Sequence, residues 1–212
     1  MTHQIPTLSR RDFLGGALLA SLSTSAPAAE EGFKPLFNGR DLTGWEGDAL
    51  LWVVENGELV GRSPGISYND FLATEERFGD FELRFQIRLL DDIGNSGVQF
   101  RSERVVGSME MIGYQADVGL GWWASLYDES RRRETLAAPD PRLLERTIKA
   151  NDWNDYSIRA EGPKITLQLN GRTTVDYVEE DDSIARDGHI AVQVHSGPPL
   201  EVHFRNMRIK RL

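Results

Sequence analysis

Nine consecutive residues, Phe81-Glu82-Leu83-Arg84-Phe85-Gln86-Ile87-Arg88-Leu89, alternate without a break between apolar and charged or polar side chains. Period two is that of a strand with one buried and one wet face; a helix would spread the same apolar positions around its whole circumference. The pattern recurs in Gly97-Val98-Gln99-Phe100-Arg101, Tyr156-Ser157-Ile158-Arg159, Ile165-Thr166-Leu167-Gln168-Leu169 and Ile190-Ala191-Val192-Gln193-Val194-His195. It returns in Glu201 to Ile209, with an expected irregularity near Asn206. Asn56-Gly57 and Asn170-Gly171 each separate two such runs, and Asn-Gly is the favoured pair for a two-residue hairpin turn. Only Pro141 to Arg146 offers a turn or two of helix. Many short strands with turns about every ten residues predict an all-β sandwich or barrel. The least regular stretch, about Gly119 to Asp152, is long for a loop, and long loops on β scaffolds often carry function.

Composition narrows the function. With 24 Lys and Arg against 33 Asp and Glu, the net charge of −9 argues against nucleic acid and anionic membrane surfaces as partners. The absence of cysteine removes disulfides, thiol nucleophiles and thiolate metal sites. No run of 18 apolar residues occurs, so no integral membrane span is expected. Ser9-Arg10-Arg11-Asp12-Phe13-Leu14 precedes a short apolar stretch and then Ala26-Pro27-Ala28. This order matches a twin-arginine export signal over residues 1–28 and predicts a periplasmic or secreted protein. Residues 29–212 then read as a single domain.

Alternation assigns side chains to faces. Val98 and Phe100 belong to the core, which sends Gln99 and Arg101 to the other face. Ile190, Val192 and Val194 do the same for Gln193 and His195. Rows of donors and acceptors suit a polyhydroxylated ligand, although many antiparallel sheets simply have one solvated face. Trp45, Trp52 and Trp153 read as packing residues. Trp122-Trp123 sits in a glycine-rich loop, and exposed indoles there would make a platform for a sugar ring.

Several segments in order resemble the 3-keto-disaccharide hydrolase family. They are Leu36-Phe37-Asn38-Gly39-Arg40-Asp41-Leu42-Thr43-Gly44-Trp45, Phe78-Gly79-Asp80-Phe81, Gly94-Asn95-Ser96-Gly97-Val98-Gln99-Phe100-Arg101 and Gly113-Tyr114-Gln115-Ala116-Asp117-Val118-Gly119. Ser125-Leu126-Tyr127-Asp128-Glu129, Asp152-Trp153-Asn154-Asp155-Tyr156, Gly188 to His195 and Val202 to Ile209 follow. The resemblance implies a concanavalin A-like jelly-roll sandwich of two antiparallel sheets and cleavage of glycosides whose C3 hydroxyl has been oxidised to a ketone. That chemistry requires a separate sugar 3-oxidoreductase upstream. Many members have Glu where this chain has Gln115 and Gln where it has Asp117, so the chain reads as a subgroup.

No acidic run of the kind that jelly-roll glycosidases carry on one strand is present, which weighs against plain acid-catalysed hydrolysis. A 3-keto sugar opens another route: C2 proton abstraction, β-elimination of the C1 substituent, and hydration. His195, Asp117 and Glu129 are the candidate catalytic acids and bases. Gln99, Arg101, Gln115 and Gln193 are candidates to bind the enolate oxygen or ring hydroxyls, Tyr114 and Tyr127 to donate to the leaving group, and Trp122 and Trp123 to stack on the ring. No cofactor is expected. Glu179-Glu180-Asp181-Asp182 could collect a hard cation but reads more simply as a solvated turn. A non-catalytic carbohydrate-binding module is the alternative reading, and a protein-binding envelope domain a third.

Overall fold

The computed structural model describes Met1 and residues 30–212. Beyond Met1, the predicted export signal lies outside the described residues. In chain order the strands are β1 (Lys34–Pro35), β2 (Trp45–Glu46), β3 (Trp52–Glu55), β4 (Glu58–Ser63) and β5 (Asp70–Phe78). Next come β6 (Phe81–Leu89), β7 (Asn95–Arg104), β8 (Met111–Gly119), β9 (Leu126–Glu129) and β10 (Glu134–Ala137). The short helix α1 (Pro141–Glu145) precedes β11 (Asn154–Glu161), β12 (Lys164–Leu169), β13 (Arg172–Val178), β14 (Gly188–Val194) and β15 (Leu200–Arg211).

Two antiparallel sheets result. One runs β13-β12-β11-β6-β15-β4-β3, with β1 added to β15; the other runs β10-β9-β8-β7-β14-β5-β2. The long strand β6 is buried at every odd position and half-buried at every even one, as its alternation requires. Leu83, Phe85 and Ile87 of the first sheet and Val98, Phe100, Ala116, Val118, Ile190, Val192 and Val194 of the second belong to one core. Strands distant in sequence pair across crossovers, β6 with β15 and β7 with β14, so this is the predicted two-sheet jelly roll.

Local chemistry fixes the turns and bends. Asn56 and Gly57 both have positive φ, as do Asn170 and Gly171, the requirement of a type I′ hairpin. Asn206 also has positive φ, and β15 shifts register between Arg205 and Arg208. Asp140 caps α1 by accepting from the Arg142 N–H at 2.7 Å, with Pro141 at the first turn. Trp52 and Trp45 are buried, and Trp153 is half-buried under the guanidinium of Arg205.

Candidate functional site

The outer face of the β9-β8-β7-β14 sheet carries the polar side chains. Register pairs Gln115 of β8 with Tyr127 of β9 on one side and Gln99 of β7 on the other. Two residues along, Asp117 pairs with Gly97. Period two then places Gln115 and Asp117 on one face and Tyr114, Ala116 and Val118 in the core.

A cavity of about 190 Å³ opens where β7 and β5 begin and β8 and β14 end, lined by Asn69, Asn95, Gln115, Asp117, Trp122, Tyr127, Glu129 and His195. All three predicted acid–base candidates therefore meet in one place, with Gln115, Tyr127 and Trp122 beside them. The tryptophan pair divides. Both Trp122 and Trp123 donate their backbone N–H to Gly119 O, closing a tight turn that leaves Trp122 48% exposed at the cavity and Trp123 3% exposed in the core.

Asp117 is the cavity's most buried carboxyl. Burial pushes it up to about 7; a hydrogen bond from Gln115 opposes this and the charge of Glu129 adds to it. Glu129 is raised by its own burial and by the charge of Glu110, against the Ser130 N–H and Arg133. Tyr127 is raised by burial and then by Glu129 and Asp117. His195 donates from Nδ1 to its neighbour's carbonyl, Ser196 O, at 2.5 Å.

Beneath the cavity lies a chain of buried amides. Ser102 Oγ donates to Gln99 Oε1 (2.6 Å), Gln99 Nε2 to Gln115 Oε1 (2.9 Å), and Gln115 Nε2 to Asp117 Oδ1 (2.7 Å). Gln115 Nε2 also lies 3.3 Å from Gln193 Oε1. Every amide is oriented by the next, and the chain ends on the Asp117 carboxylate. Gly97 makes room for it: a Cβ there would stand 2.7 Å from Gln115 Cδ.

Several predicted binding residues are placed elsewhere. Gln99 and Gln193 are fully buried and support Gln115 rather than lining the cavity. Tyr114 points into the core, stacks on Phe100 and donates to Glu179 at 2.7 Å; adjacent strand residues face opposite ways, so it cannot share a face with Gln115.

Arg101 leaves the alternation altogether. It has φ of 48° at a register shift in β7, and its guanidinium donates to Gly79 O, Gly162 O and Asp80. The bulge fits only because Gly188 faces it, where a Cβ would lie 2.5 Å from the Arg101 carbonyl carbon.

Two of the three arginines after Glu129 pair elsewhere. Arg131 and Arg132 bond Asp128, which is buried on the opposite face, and Arg132 also bonds Glu179. Glu179 is thereby drawn inward from the acidic run, and no group of three metal-ligating side chains occurs among the described residues.

Asn69 and Asn95 line the cavity and were not singled out from the sequence. Asn95 shares by period two the face of Gly97 and Gln99, a usable signal. Asn69 lies before β5 and carries none.

A search of curated proteins finds no match. Among solved structures, a Parabacteroides distasonis protein assigned as a glycosyl hydrolase superposes with a TM-score of 0.66 at 19% identity, covering 86% of this chain and 94% of that one. A Bacillus subtilis protein with a galectin-like fold gives 0.64 at 12% identity, covering 84% and 94%. Carbohydrate binding module CBM66 from Bacillus subtilis gives 0.59 at 19%, covering 79% and 95%. At these identities the likeness establishes the fold. The sequence itself matches the 3-keto-alpha-glucoside-1,2-lyase-like domain over residues 32–210, nearly the whole described chain, and the protein belongs to that carbohydrate-related family.

Proposed function

We propose that this protein cleaves 3-keto-glycosides by elimination at the cavity bounded by Asp117, Glu129 and His195. The observation that supports this best is Asp117: a carboxyl held near 7, in a cavity of about 190 Å³ that also contains an imidazole. A group that titrates near neutrality can both give and take a proton.

The C3 ketone acidifies the C2–H. His195 keeps a proton on Nδ1 through Ser196 O, which leaves the Nε2 lone pair as the base for that hydrogen. The electron pair left on C2 delocalises onto the C3 oxygen as an enolate. The enolate collapses to a C1–C2 double bond, and the C1–O bond to the aglycone breaks. Asp117 in its acid form protonates the departing oxygen. Water adding to C1, with a proton returned to C2, completes net hydrolysis. Tyr127 is the hydroxyl donor at the cavity wall, and the exposed half of Trp122 offers an apolar surface to the ring. The substrate is an oxidised sugar, so an oxidoreductase must supply the ketone. The export signal would place the reaction in the periplasm or outside the cell.

The test uses matched glycosides, one with a C3 hydroxyl and one with a C3 ketone, incubated with the protein in D₂O. Aglycone release from the ketone alone, with deuterium appearing at C2, is the expected result. Release from neither, with both sugars bound in calorimetry, would replace this reading with a carbohydrate-binding module.

A further inference from the structure

His195 sits one residue beyond the end of β14, where the sheet's own hydrogen bonds no longer hold the chain. The turn is held from another segment instead. The Ser196 N–H donates to Asn69 Oδ1 at 2.9 Å, and the Gly197 N–H donates to Ile66 O at 2.8 Å. These are the two peptide units that flank Ser196. The second of them carries the Ser196 carbonyl, the oxygen that accepts from His195 Nδ1. Anchoring both peptides therefore aims that carbonyl at the imidazole.

The Asn69 amide can point only one way. Its Oδ1 faces a backbone donor, and its Nδ2 faces Glu110 Oε2 at 3.4 Å. Reversing the amide would set donor against donor at Ser196 and acceptor against carboxylate at Glu110. Asn69 thus ties the His195 turn to the start of β8, where Glu110 immediately precedes Met111.

A neutral imidazole carries one proton, and the acceptor beside one nitrogen decides where it resides. We infer that Asn69 is a positioning residue of the site: by holding the Ser196 turn it keeps His195 in the Nδ1–H form and leaves Nε2 to accept a proton from substrate. The catalytic consequence rests on the reading of His195 as the base; the tautomer itself does not.

The experiment is long-range ¹⁵N–¹H NMR of the histidine rings at a pH where His195 is neutral, combined with turnover of a 3-keto-glycoside. Wild-type protein is expected to show His195 as Nδ1–H. Asn69→Ala is expected to show a mixture with the Nε2–H form, and kcat falls about tenfold or more as the base is misplaced. The double variant Asn69→Asp with Glu110→Gln keeps an oxygen facing Ser196 N–H and restores the Asn69–Glu110 contact with its polarity reversed. It is expected to recover the Nδ1–H form and most of kcat.

An Nε2–H form in the wild type, or an Asn69→Ala protein that keeps pure Nδ1–H, would overturn the inference. So would failure of the double variant to recover the Nδ1–H form while folded. A shifted tautomer in a protein that never turns over the ketone would leave Asn69 positioning His195 and refute the proposed reaction instead.

Discussion

Asp117 allows the proposed site to be tested through stability alone. Its carboxyl moves from an ordinary 3.8 to about 7 on folding. At about 1.4 kcal/mol per unit, ionised Asp117 disfavours the folded state by about 4 kcal/mol. The sign follows from the direction: between pH 3.8 and 7 the unfolded chain has released this proton while the folded chain retains it, so stability falls as pH rises through that window and the loss is complete above 7. Asn at this position is nearly isosteric with the protonated acid, and its Oδ1 still accepts from Gln115 Nε2. Asp117→Asn should therefore match wild type at pH 4 to within about 1 kcal/mol and exceed it by about 4 kcal/mol at pH 8. Urea denaturation of both proteins at the two pH values measures this, and subtracting one from the other cancels the remaining titrating groups. Turnover of a 3-keto-glycoside should fall at least about a hundredfold in the same variant. A gain of equal size at both pH values, or none at pH 8, would show that Asp117 is not held near neutrality and would remove the basis for its role as acid.

Three further outcomes follow from the packing. Gly97→Ala places a Cβ 2.7 Å from Gln115 Cδ; it should cost about 1–3 kcal/mol, seen in denaturant unfolding, and lower kcat by displacing Gln115 from Asp117. Trp122→Ala should raise KM and leave Tm unchanged, whereas Trp123→Ala should cost about 3–5 kcal/mol of stability because its indole is 3% exposed in the core. Arg101→Met leaves Asp80 and two carbonyls without their donor; it should destabilise by about 3 kcal/mol, with KM of the surviving folded protein unchanged.

The strands were readable because alternation is local. Phe81 to Leu89 needs no knowledge of its neighbours to declare a half-buried strand, and two Asn-Gly pairs declare their own hairpins. Alternation also sent Gln99, and Gln193 with His195, to the face away from the core, since side-chain direction is a property of the backbone itself. The family, too, was legible from short segments kept in order.

What tertiary structure decided is what depends on residues distant in sequence. Arg101 appeared to share a face with Gln99, but its bulge exists because Gly188, far along the chain, leaves the space for it. Three arginines follow Glu129 closely in the sequence; only the fold shows Arg131 and Arg132 committed to Asp128 and Glu179, leaving Glu129 facing the cavity. Asn69 joins His195 because β5 pairs with β14 so that Asp70 stands opposite Val194. The near-neutral Asp117 arises from burial, to which the charge of Glu129 adds and which outweighs the hydrogen bond from Gln115 two residues away, and burial is fixed by packing across strands rather than by any residue's own neighbours in the chain.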